Sequence, residues 1–172
     1  MSPSSSFLIR NSSLDDISRI FELYLCVAKV PGGLARHEHE ITVDYVDSFV
    51  RKSLEHGVSL VAEENGIVCG EIHAYTTAPR CFSHVLSELT VAILPQSQGK
   101  GLGRNLFESL INRVLQSKPE IKRIELIARE SNTRAISLYS SLGFNSEGRL
   151  RNRIRNADGS FDNDIPMAWL RE

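Results

Sequence analysis

The sequence predicts a mixed α/β fold, a twisted mixed β-sheet of about seven strands flanked by about four helices. Three observations carry this. Short β-rich runs alternate with segments whose apolar residues recur at helical spacing. An Asn65-Gly66 turn joins two of the runs, and the chain closes on two more around Asn156-Ala-Asp-Gly159. No repeat or low-complexity block divides the 172 residues, so the reading is a single domain over 1–172, with 1–6 a flexible tail.

In chain order, Phe7-Leu8-Ile9 opens the first strand. Ser13 then caps a helix whose inner face is Ile17, Ile20, Phe21, Tyr24 and Val27, broken at Pro31-Gly32-Gly33. Thr42 caps a second helix, with Val46, Phe49, Val50 and Leu54 inward and Gly57 at its end. Val58–Ala62 and Val68–Tyr75 form a hairpin, and Pro79-Arg80 marks a turn. Val85–Leu94 is a long apolar strand stopped by Pro95, and a helix with Leu106, Leu110, Ile111 and Val114 inward follows the glycines at 99–103. Ile124–Ala128 is the fifth strand. Asn132 starts a short helix carrying Ala135, Ile136, Tyr139 and Leu142, stopped at Gly143. Phe144–Arg155 and Phe161–Leu170 complete the sheet.

Bulk composition excludes several classes. Twenty Lys and Arg against 21 Asp and Glu give a net charge of −1, which argues against a dedicated nucleic-acid or anionic-membrane binder. No apolar run approaches the ~20 residues of a membrane span, and Met1-Ser-Pro-Ser-Ser-Ser6 lacks the basic-then-apolar pattern of a signal peptide. A cytoplasmic protein is expected. Cys26, Cys69 and Cys81 show no C-x-x-C spacing and sit in apolar segments, so they read as reduced, structural thiols. His37-Glu-His39 is too close-set for a helical zinc pair, and no metal is expected. The sequence leaves the oligomeric state open, a homodimer included.

The informative stretch is Leu89-Thr-Val-Ala-Ile-Leu-Pro-Gln-Ser-Gln-Gly-Lys-Gly-Leu-Gly-Arg104, where a strand runs into glycines that open a helix. Amides at a helix start lack intrahelical acceptors, and the helix dipole is positive there. Glycines let a bulky anion come close, so the loop can cradle a pyrophosphate. The spacing is neither G-x-x-x-x-G-K-[ST] nor G-x-G-x-x-G, which argues against a P-loop or a dinucleotide-binding loop. The plain alternative is a turn that merely begins a helix.

Gln98-x-x-Gly101-x-Gly103 after a Leu-x-Val strand resembles the acetyl-CoA loop of the GNAT superfamily of N-acetyltransferases. Asn132-Thr-Arg-Ala-Ile-Ser-Leu-Tyr-Ser-Ser-Leu-Gly-Phe144 resembles that superfamily's second signature, at its usual distance. The specific resemblance covers 88–144, and the rest of the chain matches in pattern. It implies that the backbone of Val91, Ala92 and Ile93 pairs with the pantetheine arm. It implies that the amides of Gln98, Gly99, Lys100, Gly101, Leu102, Gly103 and Arg104 hold the pyrophosphate, and that Asn132 and Tyr139 lie near the thiol end. Asn132 also reads as a plain N-cap, and Tyr139 as an inner-face residue.

Acetyl transfer needs a neutral amine, a polarised carbonyl and a proton for the departing thiolate. The resemblance gives Tyr139 the last role. Glu88 stands inside the apolar run Val85-Leu-Ser-Glu-Leu-Thr-Val, where a carboxylate is costly unless paired, hydrated or useful. It could take the amine's proton, bind its ammonium, or only form a salt bridge. Glu71 is the alternative acid, with His73 and His84 behind it, since a histidine beside a strand is read first as structural. Arg149, Arg151, Arg153 and Arg155 alternate on one strand, as a cationic edge or a carboxylate site, with the edge favoured. The ending at 156–167 resembles small-amine, amino-acid and phosphinothricin-type members. The expectation is therefore an acetyl-CoA-dependent transferase acting on a small primary amine. The alternatives are a protein N-terminal or lysine acetyltransferase, and a non-catalytic acyl-CoA-binding module.

Overall fold

The computed structural model describes residues 7–77 and 79–172, so the expected tail at 1–6 lies outside the described residues. Among them the chain forms four α-helices and eight strands in mostly antiparallel pairing, a mixed α/β protein. They fall into two compact units, 7–75 with Thr90–Lys118, and 76–77 and 79–89 with Pro119–Glu172.

In the first unit, β1 (Leu8–Asn11) pairs antiparallel with β2 (Gly57–Glu64), and β2 with β3 (Ile67–Tyr75). β3 is bonded in turn to β4 (Val85–Ile93), whose last residues, 90–93, belong to this unit. Asn65 and Gly66 both take left-handed backbone, φ 53° and 80°, the pair that a tight hairpin turn requires. The helices are α1 (Ile17–Ala28), α2 (Val43–His56) and α3 (Leu102–Ser117). A 3-10 turn at Leu14–Asp16 precedes α1, and the Asp16 carboxylate accepts the Ser13 amide at 2.8 Å. Thr42 Oγ1 accepts the Tyr45 amide at 3.1 Å and starts α2 as expected.

β3 is buried on both faces, and its sequence shows why. A Cβ at Gly70 would lie 3.1 Å from Leu106 and 3.2 Å from Leu102, so glycine lets α3 pack close on that face. On the other face Glu71 and His73 meet Tyr24 of α1 and Phe49 of α2.

In the second unit β4 runs parallel to β5 (Arg123–Arg129) at Val85↔Arg123 and Leu86↔Ile124. β5 pairs antiparallel with β8 (Phe161–Leu170), which also carries β6 (Asn145–Ser146) and β7 (Leu150–Arg155). The last helix is α4 (Thr133–Ser141), and Gly143 beyond it is left-handed at φ 92°.

Several expectations need correction. The strand expected over 144–155 is divided into β6 and β7. The arginines of β7 do not simply alternate, because Asn152 is left-handed at φ 53° and the register with β8 shifts between Leu150 and Ile154. Arg149 forks onto Glu130 at 2.5 and 2.7 Å, and Arg153 reaches Asp164 at 2.7 Å. Leu54 is exposed while Ser53 is buried, its hydroxyl satisfied by the Phe49 carbonyl at 2.6 Å. Cys69 is the buried thiol, held above its ordinary pKa by burial, whereas Cys26 and Cys81 are exposed.

Candidate active site

In the first unit, β4 runs out through Leu94, whose amide donates to the Cys69 carbonyl at 2.9 Å. A 3-10 turn at Pro95–Ser97 reverses the chain into the glycines. Gly99 and Gly101 are left-handed, φ 77° and 82°, and Gly101 is the N-cap of α3. At neither position would a Cβ meet a heavy atom within 4 Å, so the space beside this backbone is open. The first amide of α3 to be taken up within the helix is that of Asn105, which donates to the Gly101 carbonyl at 3.1 Å. The amides before it are those a helix cannot satisfy itself, at the positive end of a 16-residue dipole. Leu102 is buried and pins the helix start, while Gln98, Gly99, Lys100, Gly101 and Arg104 are exposed and Gly103 is half-buried. Side chains here are engaged along the protein. Gln98 Nε2 donates to the Ile93 carbonyl at 3.3 Å, Lys100 lies 4.0 Å from Glu64, and Arg104 lies 3.4 Å from Glu108. What this loop offers is therefore backbone N–H groups beside open space on its glycine side, an arrangement that can take an anion. Ala92 is buried, and Val91 and Ile93 on either side of it are half-buried.

In the second unit Asn132 is the N-cap of α4, its Oδ1 accepting the Ala135 amide at 3.1 Å. That engages only the acceptor of the side-chain amide and leaves the Nδ2 donors for another partner. Tyr139 is half-buried on α4, its ring 6.3 Å from that of Phe144. Burial pushes its phenol up to about 12, so it keeps its proton at neutral pH. Glu88 is exposed although its neighbours in sequence are apolar. The cause is local. Its φ is 53°, a left-handed residue within a strand, two positions after the Val85–Leu86 pairing with β5. Such a conformation costs a non-glycine residue about 1–2 kcal/mol and takes its side chain out of the strand's regular alternation.

Glu71 is the opposite case, with no exposed surface. Its carboxylate accepts from Tyr24 Oη at 2.6 Å and from Ser59 Oγ at 3.3 Å. His73 Nδ1 lies 3.1 Å from both of its oxygens. Ser12 Oγ donates to Ser59 Oγ at 2.6 Å. The burial and the neighbouring carboxylate hold the Tyr24 phenol well above its ordinary pKa. Glu71 is thus closed to direct contact with an acceptor. Tyr24 and Ser59 were not legible as polar partners, and the available signal was the Glu71-x-His73 alternation in an apolar strand.

Comparison with known proteins identifies the family. A model of the acetyltransferase (GNAT) family matches residues 19–144. The chain belongs to that family. Among curated relatives, the [ribosomal protein bS18]-alanine N-acetyltransferase of Escherichia coli K12 is 42% identical over 81 residues, 45% of this chain and 53% of the relative. The chain thus spans about half the length of that relative. The phosphinothricin N-acetyltransferase of Alcaligenes faecalis is 31% identical over 140 residues, 80% of this chain and 69% of the relative. The fold is that of the Salmonella typhimurium putative acetyltransferase yncA, solved with its cofactor acetyl-CoA. That structure superposes with a TM-score of 0.84 at 23% identity, over 98% of this chain and 95% of the other.

Proposed function

We propose that this GNAT member is an acetyl-CoA-dependent N-acetyltransferase that acetylates a small primary amine by direct attack on the thioester. The observation that carries this is the left-handed Gly99–Gly101 loop opening onto the start of α3, within the span matched by the family model. Small-amine specificity is supported by the phosphinothricin N-acetyltransferase match, which reaches over 80% of the chain. The higher local identity, 42%, to an enzyme acting on a ribosomal protein's alanine favours a second reading, a protein N-terminal acceptor. Among the described residues no helix is long and apolar enough to cross a membrane.

In this reading acetyl-CoA supplies an activated acyl carbonyl on a thiol leaving group. The backbone of Val91–Ile93 holds the pantetheine arm, the amides of residues 98–104 hold the pyrophosphate, and Asn132 Nδ2 donates to the arm. Glu88 holds the acceptor's ammonium. Tyr139 serves the departing thiolate. With its phenol near 12 and an ordinary thiol near ~8.5, full proton transfer is uphill by roughly 5 kcal/mol. Tyr139 therefore keeps its proton and donates a hydrogen bond.

Acetyl-CoA at a hundredfold excess over its dissociation constant should stabilise the fold by about 2.7 kcal/mol. Gly101→Glu, which puts bulk and like charge into the cradle, should abolish that gain. An unchanged thermal shift in the variant would remove the loop assignment. Thiol release with a panel of amines and N-terminal peptides then names the acceptor class, and binding without turnover would make the chain a non-catalytic acyl-CoA-binding module.

A further inference from the structure

We propose that His73 of the first unit, oriented by Glu71, is the base that deprotonates the acceptor. The proposal rests on the transferase reading above and adds to it the residue that takes the proton.

The buried pair asks for an explanation. A carboxylate with no exposed surface beside an imidazole with 3% of its side chain exposed is expensive to bury. Apolar residues of similar volume commonly serve a core as well or better. The arrangement has a direction. Among the described residues, the side-chain hydrogen bonds of His73 run through Nδ1, to Glu71 at 3.1 Å and toward Tyr24 Oη at 3.4 Å. That fixes the proton on Nδ1 and leaves Nε2 as the nitrogen able to accept another. Ser59 of β2 steadies the same carboxylate. The ring is nearly parallel to two others, 4.0 Å from Phe49 of α2 and 6.2 Å from Tyr75 of β3, at interplanar angles of 11° and 10°.

A second observation points to the ligand. The aromatic rings around His73 end in Tyr45 and Tyr75, both half-buried, and each already carries a cation on its face. Arg36 sits 4.2 Å above the Tyr45 ring, and the Lys52 ammonium lies 5.8 Å from the Tyr75 ring. Two positive charges fixed at this rim disfavour an ammonium and favour the neutral amine that acetyl transfer needs. β3 is also the strand bonded to β4, the strand whose residues 91–93 are assigned to the cofactor.

The step balances simply. The acceptor's N–H bond breaks, its proton moves to His73 Nε2, and nitrogen keeps the electron pair. That pair forms the C–N bond as the C–S bond breaks with its electrons on sulfur, and His73 returns its proton to solvent. Glu71, Tyr24 and Ser59 act through His73 and are positioning residues.

The test uses the full chain. His73→Asn keeps a donor toward Glu71 but removes Nε2. It should lower kcat/KM about 10²- to 10⁴-fold near neutral pH, recover with rising pH as solvent deprotonates the amine, and leave acetyl-CoA affinity unchanged. Glu71→Gln should lower kcat more than it raises KM and displace the pH profile, which a purely structural role would not do. A folded His73→Asn with a wild-type pH profile and turnover within about threefold overturns the proposal, since base catalysis is worth far more. NMR of the His73 ring in the wild-type protein gives an arm that needs no variant. Titration with benzylamine and L-methionine amide should move its resonances, and resonances that stay put overturn the proposal. A wild-type protein that binds acetyl-CoA but releases no thiol with any amine defeats the transferase reading, and the NMR arm still judges whether an amine reaches His73.

Discussion

Glu71 and Glu88 are the two carboxylates set inside apolar strand sequences, and the protein treats them in opposite ways. Glu71 follows the regular alternation of β3, so its side chain must point at α1 and α2, and three neutral-type donors from β2, β3 and α1 meet it there. Glu88 escapes burial because its own backbone turns left-handed and re-aims the side chain into solvent. The same sequence signal, an acid in an apolar run, therefore has two solutions. One satisfies the charge with partners, and the other bends the strand. Each has a different energetic consequence on mutation.

The largest expected effect follows from the first solution. Glu71→Ala would leave the Tyr24 hydroxyl, the His73 N–H and the Ser59 hydroxyl buried without their acceptor. Breaking a buried ionic or hydrogen-bonded cluster in this way costs about 3–5 kcal/mol. Glu88→Ala, at an exposed position, should stay within about 0.5 kcal/mol of wild type. Urea unfolding of the two variants side by side checks this, and equal midpoints would erase the distinction.

Next in size is Tyr139, which sharpens the contrast between a buried network and a working side chain. Tyr24 and Tyr139 both hold their protons tightly, Tyr24 through burial and Glu71, Tyr139 through burial. If the Tyr139 hydroxyl serves the thiolate, Tyr139→Phe should lower turnover about 10²-fold with little change in stability or acetyl-CoA affinity. Wild-type turnover in the variant would make Tyr139 a packing residue of α4.

Much of this was legible in the sequence, and the reasons for the rest are physical. Helix positions and the β2–β3 hairpin follow from local periodicity and from turn residues such as Asn65-Gly66, which have few alternatives. The glycine loop was readable because left-handed backbone beside a helix start demands glycine. Some features the sequence hides lie where one residue's backbone departs from the regular pattern. Asn152 at φ 53° breaks the alternation of the β7 arginines, and Glu88 at φ 53° exposes a carboxylate that the apolar run would bury. Asparagine tolerates that region, but nothing in a glutamate announces it. The partners of Glu71 were hidden for another reason. Tyr24, Ser59 and His73 come from three elements, and only tertiary packing brings them to one carboxylate.

The smallest effect tests the backbone side of the comparison directly. A left-handed non-glycine residue costs about 1–2 kcal/mol, and Glu88→Gly removes that cost. Glycine in turn makes the unfolded chain more flexible, which takes back about 0.4–1 kcal/mol. The net should be a slight gain, ~0.5 kcal/mol, in a variant that has lost its carboxylate. Glu88→Gln keeps the strain and most of the shape while losing the charge. If Glu88 holds the acceptor's ammonium, both variants should raise KM by about tenfold or more with a smaller change in kcat. If instead it takes the proton, kcat should fall most near neutral pH and recover as the pH rises, because solvent then deprotonates the amine. Urea unfolding separates the strain and full kinetics separate the two roles. A Glu88→Gly protein less stable than wild type would mean that the left-handed residue is held by contacts of the carboxylate itself, and would give Glu88 a structural role.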